Sequence, residues 1–225
     1  LERETGHRMS EIISSHLPDN ITAMLSGPNH AEEVEKRIAT AAVIGCKNEK
    51  VANSLQSIFS LPWFRTYTST DVAGIELGGA AKNVYAICAG ISDGLGLGDN
   101  AKSALVTRGL AEMTRLGTAL GGQAETFQGL SGVGDLIVTC YSTYRRNNRV
   151  GRLIGEGKKI NDIVNSMNMV AEGVPNTESF YESTKRNGVE TPIINEAYSV
   201  IIGDKNPAQA MEDLLARNPR PETDQ

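Results

Sequence analysis

Hydrophobic positions follow two regimes along this chain of 225 residues. Over the first seventy residues, short apolar runs alternate with helical spacing. Glu2 to His16 reads as a helix that ends at Leu17-Pro18-Asp19-Asn20, and Ile21 to Leu25 is a short apolar run stopped by Ser26-Gly27-Pro28. Ala31 to Ile38 is helical again, and Ala41-Ala42-Val43-Ile44 reads as a buried strand. Val51 to Phe59 predicts another helix, after which Phe64-Arg65-Thr66-Tyr67 is β-prone. Strands alternating with helices predict an α/β sheet, here with part of the sheet missing.

After Asp71 the strand signals fade. Ile75 to Ile91 predicts a long helix rich in small residues, and Asp99-Asn100 reads as the cap of a second. That second helix carries Val106, Leu110, Met113, Gly117 and Leu120 on one face. Further helices are predicted over 146–155, 160–168, 176–187, 193–202 and 207–217. The last opens with Asn206-Pro207, a cap residue followed by proline in the first turn. The fold class is therefore mainly α: an all-α region over 71–225, preceded over 1–70 by an incomplete α/β part. The polar tail 218–225 is expected to fray.

Composition narrows the function classes. Hydrophobic residues make up 40% and charged residues 22%, as in folded globular chains. A chain of this length buries roughly 70% of its unfolded surface without a disulfide or metal staple. The net charge of −5 argues against a dedicated nucleic-acid binder. The apolar run from Tyr85 to Ile91 is far shorter than the ~20 residues a membrane span needs. Three cysteines, Cys46, Cys88 and Cys140, cannot all pair, which suits a reducing cytoplasm, and no zinc-ligand spacing is present. The first residues, Leu1-Glu2-Arg3-Glu4, lack an initiator Met and a signal-peptide core, so a processed chain or a piece of a longer one is expected.

Three segments carry candidate chemistry. Gly94-Leu95-Gly96-Leu97-Gly98-Asp99 superficially looks like a nucleotide loop, but its spacing is not G-x-G-x-x-G and a helix precedes it, so it reads as a helix stop and turn. Lys82 follows Gly78-Gly79-Ala80-Ala81 on an otherwise apolar helix. Such a lysine either snorkels to water or is held for use. Asp135 to Gly151 leads with an acid, continues through hydroxyls, and ends with Arg145, Arg146 and Arg149 among Asn147 and Asn148. Guanidinium forks suit a phosphate, although the same cluster also reads as an exposed basic helix start with capping amides. No aromatic platform accompanies it, which weakens an RNA-binding reading.

Together these segments resemble the NAD(P)-dependent glycerol-3-phosphate dehydrogenase family of the bacterial type, along nearly the whole chain. The resemblance rests on Ser26-Gly27-Pro28-Asn29-His30-Ala31-Glu32-Glu33, Gly78-Gly79-Ala80-Ala81-Lys82-Asn83 and the run from Asp93 to Lys102. It continues through Gly134-Asp135-Leu136, Thr139-Cys140, Arg146-Asn147 and Val170-Ala171-Glu172-Gly173. It implies a Rossmann-like NAD(P)-binding part over 1–70, incomplete here, and an all-α substrate and catalytic part over 71–225. It also implies hydride transfer between NAD or NADP and glycerol 3-phosphate or dihydroxyacetone phosphate, in the supply of phospholipid precursors. Lys82 matches the family's catalytic lysine, a role that asks for a pKa lowered toward the working pH. Asp135 matches a residue that holds the lysine and substrate hydroxyls. Arg146 and Asn147, with Arg145 beside them, match substrate-phosphate and cofactor contacts. Gly27 and Asn29 match an interdomain loop near substrate, and Ala31, Val170 and Glu172 match cofactor-side positions.

Departures from the family pattern are Asn29-His30 in place of a small hydroxyl residue and Phe, Arg145 in place of Ser, and Ala81 in place of Leu. The family's glycine fingerprint and a second lysine, in a Lys-Gly pair, precede the segment that Leu1-Glu2 resembles. The 225 residues alone are therefore expected to be inactive. A homodimer is compatible with the long helices. The rival readings are a related β-hydroxyacid or 6-phosphogluconate-type dehydrogenase, and a noncatalytic helical interaction module.

Overall fold

A computed structural model describes residues 1–2, 5–142, 146–167 and 170–222. Three strands, β1 (Met24–Ser26), β2 (Thr40–Gly45) and β3 (Phe64–Ser69), form a sheet in the order β1-β2-β3. β1 runs antiparallel to β2, with Leu25 opposite Ile44, and β2 runs parallel to β3, with Val43 opposite Tyr67. The parallel pair is joined through α3 (Glu49–Phe59), which starts where the Asn48 side chain accepts from the Val51 N–H at 3.2 Å. Ala42, Val43 and Ile44 are buried, as their apolar run predicts. The first helix, α1 (Met9–His16), is shorter than the pattern predicts. Glu2 accepts from the N–H and hydroxyl of Thr5 at 2.7 and 2.5 Å, and Gly6 turns at φ +73°, so a side-chain turn replaces the expected first helical turns. α2 (Ala31–Glu35) is likewise brief.

Among the described residues every strand lies before residue 70, and the later elements are helical. Helix α4 (Val72–Gly94) is buried along most of its length and forms the axis of the molecule. Around it stand α5 (Gly98–Ala119), α6 (Ala124–Phe127), a π turn over Leu130–Gly134, α7 (Asp135–Tyr141) and α8 (Arg146–Gly155). α9 (Ile160–Asn165), α10 (Gly173–Asn187), α11 (Pro192–Ile201) and α12 (Pro207–Leu215) complete it. Several starts differ from the sequence pattern: α3 begins at Glu49, ahead of Val51, and α4 at Val72, ahead of Ile75, where the Asp71 side chain accepts from Gly74 N–H. α5 begins at Gly98, so Asp99 and Asn100 sit in its first turn instead of capping it. α10 begins at Gly173, ahead of Asn176, because Pro175 fits a first turn whose N–H groups have no helical partner. Asn206 caps α12 as expected, accepting from Ala208 N–H at 2.8 Å. No helix among the described residues is long and apolar enough to cross a membrane.

α4 and α8 meet backbone to backbone through four glycines. A Cβ on Gly90 would stand 2.1 Å from the Asn148 carbonyl oxygen, and one on Gly94 2.2 Å from that of Arg152. From the other side, a Cβ on Gly151 would stand 1.9 Å from the Ile87 carbonyl oxygen, and one on Gly155 2.6 Å from that of Ile91. No side chain fits in this crossing. Gly151→Ala is expected to lower unfolding free energy by about 3 kcal/mol, measured by urea denaturation, because backbone and not a flexible side chain must yield.

A second constraint lies under α11. Glu112, 1% exposed, accepts from the first-turn N–H groups of Ile193 and Ile194, each at 2.9 Å. Burial pushes its carboxyl up to about 7, against the pull of those two N–H donors. The folded value lies above the unfolded one, so the folded state holds an extra proton between about pH 4.5 and 7. Its contribution is complete below about pH 4.5 and is lost as pH rises to about 7. Compared with Glu112→Gln, the wild-type chain should lose on the order of 2–3 kcal/mol more across that window; parallel pH profiles of the two proteins refute the assignment.

Candidate active site

Small residues before Lys82 let a turn of backbone rest on α4. A Cβ on Gly78 would stand 2.6 Å from the Ser131 carbonyl oxygen, so the π turn at 130–134 can pack there only against glycine. That contact sets the start of α7, where Asp135 is 1% exposed. Lys82 Nζ donates to Asp135 Oδ2. Thr139 Oγ1, one turn on, donates to the Asp135 carbonyl at 2.5 Å and lies 3.2 Å from Asp135 Oδ1. The Lys82 side chain keeps 13% of its surface exposed. The Lys82 side chain thus turns onto Asp135 and is mostly buried, where the snorkelling reading places it in water.

Lys82 and Asp135 line a cavity of about 480 Å³, together with Asn29 and Glu172. Four of the sequence-predicted residues thus meet in one place. Gly27, at φ +135° and packed 3.1 Å (as a virtual Cβ) from Ala42 Cα, turns the chain out of β1, and its carbonyl accepts from Asn29 N–H at 2.8 Å. Gly27 therefore shapes the approach of Asn29 without lining the cavity itself. Ala31 opens α2, is exposed, and also stands outside the lining.

A second group forms around the start of α8. Arg146 Nη1 donates to the Val170 carbonyl at 3.0 Å. Asn147 is buried, donating from Nδ2 to Asn83 Oδ1 at 2.9 Å while its Oδ1 accepts from Gly173 N–H at 3.0 Å. One amide thus ties α8 to the residue after Lys82 and to the residue after Glu172. Asn148 does not cap a helix; its Nδ2 donates to the Cys140 carbonyl at 3.1 Å and to Asp93 Oδ2 at 3.2 Å. Asp93 in turn holds Lys102 Nζ at 2.7 and 3.0 Å. The glycine run at 94–98 connects α4 to α5, with Gly96 and Gly98 at positive φ, as its helix-stop reading predicts. Arg145, named with this group from the sequence, lies outside the described residues.

Sequence reasoning missed Arg8, Ser26, Glu76 and Asn176, which also line the cavity. The signal that exposed Lys82, a charge on an apolar helix, applies equally to Glu76. Asn176 Nδ2 donates to the Ala80 carbonyl at 3.2 Å, a contact that only the tertiary fold creates.

Comparison with known proteins identifies the family. The family model described as NAD-dependent glycerol-3-phosphate dehydrogenase C-terminus matches residues 71–212, and the corresponding N-terminus model matches residues 1–52. The chain is 49% identical to the glycerol-3-phosphate dehydrogenase of Syntrophotalea carbinolica, covering 100% of this chain and 68% of that protein. It is 48% identical to that of Geobacillus thermodenitrificans, covering 99% of this chain and 66% of that one. The solved glycerol-3-phosphate dehydrogenase of Coxiella burnetii superposes with a TM-score of 0.92 at 36% identity, covering 95% of this chain and 66% of that one. The chain thus spans about two thirds of the length of these relatives. It belongs to the NAD-dependent glycerol-3-phosphate dehydrogenase family.

Proposed function

We propose that the protein is an NAD(P)-dependent glycerol-3-phosphate dehydrogenase, interconverting dihydroxyacetone phosphate and sn-glycerol 3-phosphate for glycerophospholipid precursors. The observation that carries the reading is the Lys82 ammonium held on buried Asp135 at the wall of the cavity. In reduction, Lys82 Nζ donates to the ketone oxygen and passes its proton as that oxygen becomes an alkoxide. The hydride comes from the nicotinamide when it is bound. In oxidation the neutral amine takes the proton of the C2 hydroxyl. Asp135, fixed by Thr139, keeps Nζ aimed.

Arg146, Asn147 and neighbouring Arg145 form the phosphate side of this reading. Arg146 spends one of its N–H groups on Val170, and a guanidinium carries five. Ala31, Val170, Glu172 and Arg146 belong to the cofactor side, with Gly27 and Asn29 at the approach to substrate. We assign 1–70 to the NAD(P)-binding part and 71–225 to the catalytic part. The residues present fit the reacting end of NAD or NADP better than its phosphates. Parallel β2 and β3 lead into α3 and α4, but Asn48 and Asp71 already cap those helix starts where phosphates would otherwise sit. A cytoplasmic location fits three buried thiols. A homodimer belongs to the same proposal and is checked by sedimentation.

Lys82→Met in the dehydrogenase should lower kcat for dihydroxyacetone phosphate reduction by about 10²–10⁴-fold. It also leaves Asp135 buried without its cation, so the melting temperature should fall. Adding Asp135→Asn should restore the melting temperature and leave turnover lost; turnover that persists in Lys82→Met overturns the assignment. The polypeptide of these 225 residues alone should be protected against heat by glycerol 3-phosphate, by about 2.7 kcal/mol at a hundredfold excess over Kd, and should not oxidise NADH when given dihydroxyacetone phosphate. NADH consumption by that polypeptide would contradict the second half of this expectation.

A further inference from the structure

The cavity wall carries a carboxylate that the lysine chemistry does not use. Glu76 stands on α4 six residues before Lys82 and is 8% exposed. Both of its oxygens are spent on the first turn of α1. Oε1 accepts from Ser10 N–H at 2.8 Å, and Oε2 accepts from the Ser10 hydroxyl and, at 3.4 Å, from Arg8 Nη1. Ser10 is itself buried.

The first N–H groups of a helix have no partner within it, and a side-chain oxygen just ahead of the helix ordinarily supplies one. The residue preceding α1 is Arg8, whose side chain has no acceptor to offer. Glu76 supplies that oxygen from a different part of the chain. α1 falls within the stretch that matches the N-terminus model, and Glu76 within the stretch that matches the C-terminus model. Arg8 and Met9 at this helix start face the same cavity as Lys82; Glu11 holds the Arg8 guanidinium at 2.6 Å, and Glu76 ties that unit to α4. Gly79 and Ala80, one turn after Glu76, leave the wall between Glu76 and Lys82 open to a small molecule.

We infer that Glu76 is a positioning residue: by capping α1 from α4, its carboxylate fixes the cavity wall that faces Lys82, and so sets how dihydroxyacetone phosphate fits. This rests on the dehydrogenase reading above. A wall displaced by an ångström loosens a small substrate before it alters proton transfer at Lys82. The effect therefore falls on KM more than on kcat.

The test compares Glu76→Ala, Glu76→Gln, Ser10→Ala and the Glu76→Ala/Ser10→Ala pair in the dehydrogenase, with kcat and KM for dihydroxyacetone phosphate and the melting temperature of each. Glu76→Ala should raise KM by about tenfold with a smaller change in kcat. Glu76→Gln, whose amide oxygen still accepts from Ser10 N–H, should recover most of that loss. The pair should be no worse than Glu76→Ala alone, because both changes break one contact. If Glu76→Ala does not fold, Glu76→Asp, whose carboxylate is one methylene short of Ser10 N–H, takes its place and must raise KM in a folded protein. An unaltered KM, a glutamine variant as defective as the alanine one, or additive effects overturn the inference while leaving the dehydrogenase reading intact. A wild-type enzyme with no turnover of dihydroxyacetone phosphate overturns both.

Discussion

The whole helical part depends on how close α8 can come to α4. Ridges of side chains normally hold helix axes 8–10 Å apart, and here glycine on both sides removes the ridges. The carbonyl of Asn148 lies where a Cβ of Gly90 would be, and that of Ile87 where a Cβ of Gly151 would be. This closeness brings Asn147 within reach of Asn83, the residue after Lys82. The same logic repeats further along α4. Gly78 admits the backbone of Ser131, and a Cβ on Gly173 would stand 2.6 Å from the carbonyl of Asn83. The helix that carries the lysine is thus approached by main chain at three levels, and each approach delivers a polar group to the region of the site.

Buried carboxylates perform the complementary task of joining elements at helix starts. Asp71 accepts from Gly74 N–H within its own helix and from Gln123 N–H and the Thr126 hydroxyl outside it. Glu112 seats α11, and Glu76 seats α1. In each case a side chain that is costly to bury meets N–H groups that a helix cannot satisfy itself, so each offsets part of the other's cost. The three acids lie on or beside the two longest helices, and so tie α1, α6 and α11 to the central pair by hydrogen bonds at their first turns.

The central features of this fold were legible because they depend on local chemistry. A strand such as Ala41–Ile44 announces itself as an apolar run, and Asn206-Pro207 as a cap and first turn. Lys82 was legible as a charge out of place, and the Asp135-to-Arg146 segment as an acid, hydroxyl and guanidinium series. What could not be read was pairing at a distance. Nothing in the order of residues says that Asn147 spends its amide on Asn83 and Gly173, a contact that exists only once glycines have let the backbones close, or that Glu76 reaches Ser10 across 66 positions of chain. The overlong first helix has a different cause. Glu2 suits a helix by propensity, yet its carboxylate closes a turn on Thr5, a side-chain competition that a propensity scale averages away.

The charges around the cavity also bear on which way a substrate faces. Among its lining side chains, carboxylates (Glu76, Asp135, Glu172) outnumber cations (Arg8, Lys82). Two of those acids are committed, Glu76 to the start of α1 and Asp135 to Lys82 and Thr139. A phosphate placed 4 Å from the third would still meet repulsion of about 4 kcal/mol per unit charge at an effective dielectric of 20. A carbonyl carries no such penalty and gains the Lys82 ammonium. Under the dehydrogenase reading, the substrate therefore enters with its ketone toward Lys82 and its phosphate turned away from Glu172. Arg146, moored on the Val170 carbonyl, stands beyond the lining residues, so it reaches a phosphate only at the mouth of the cavity.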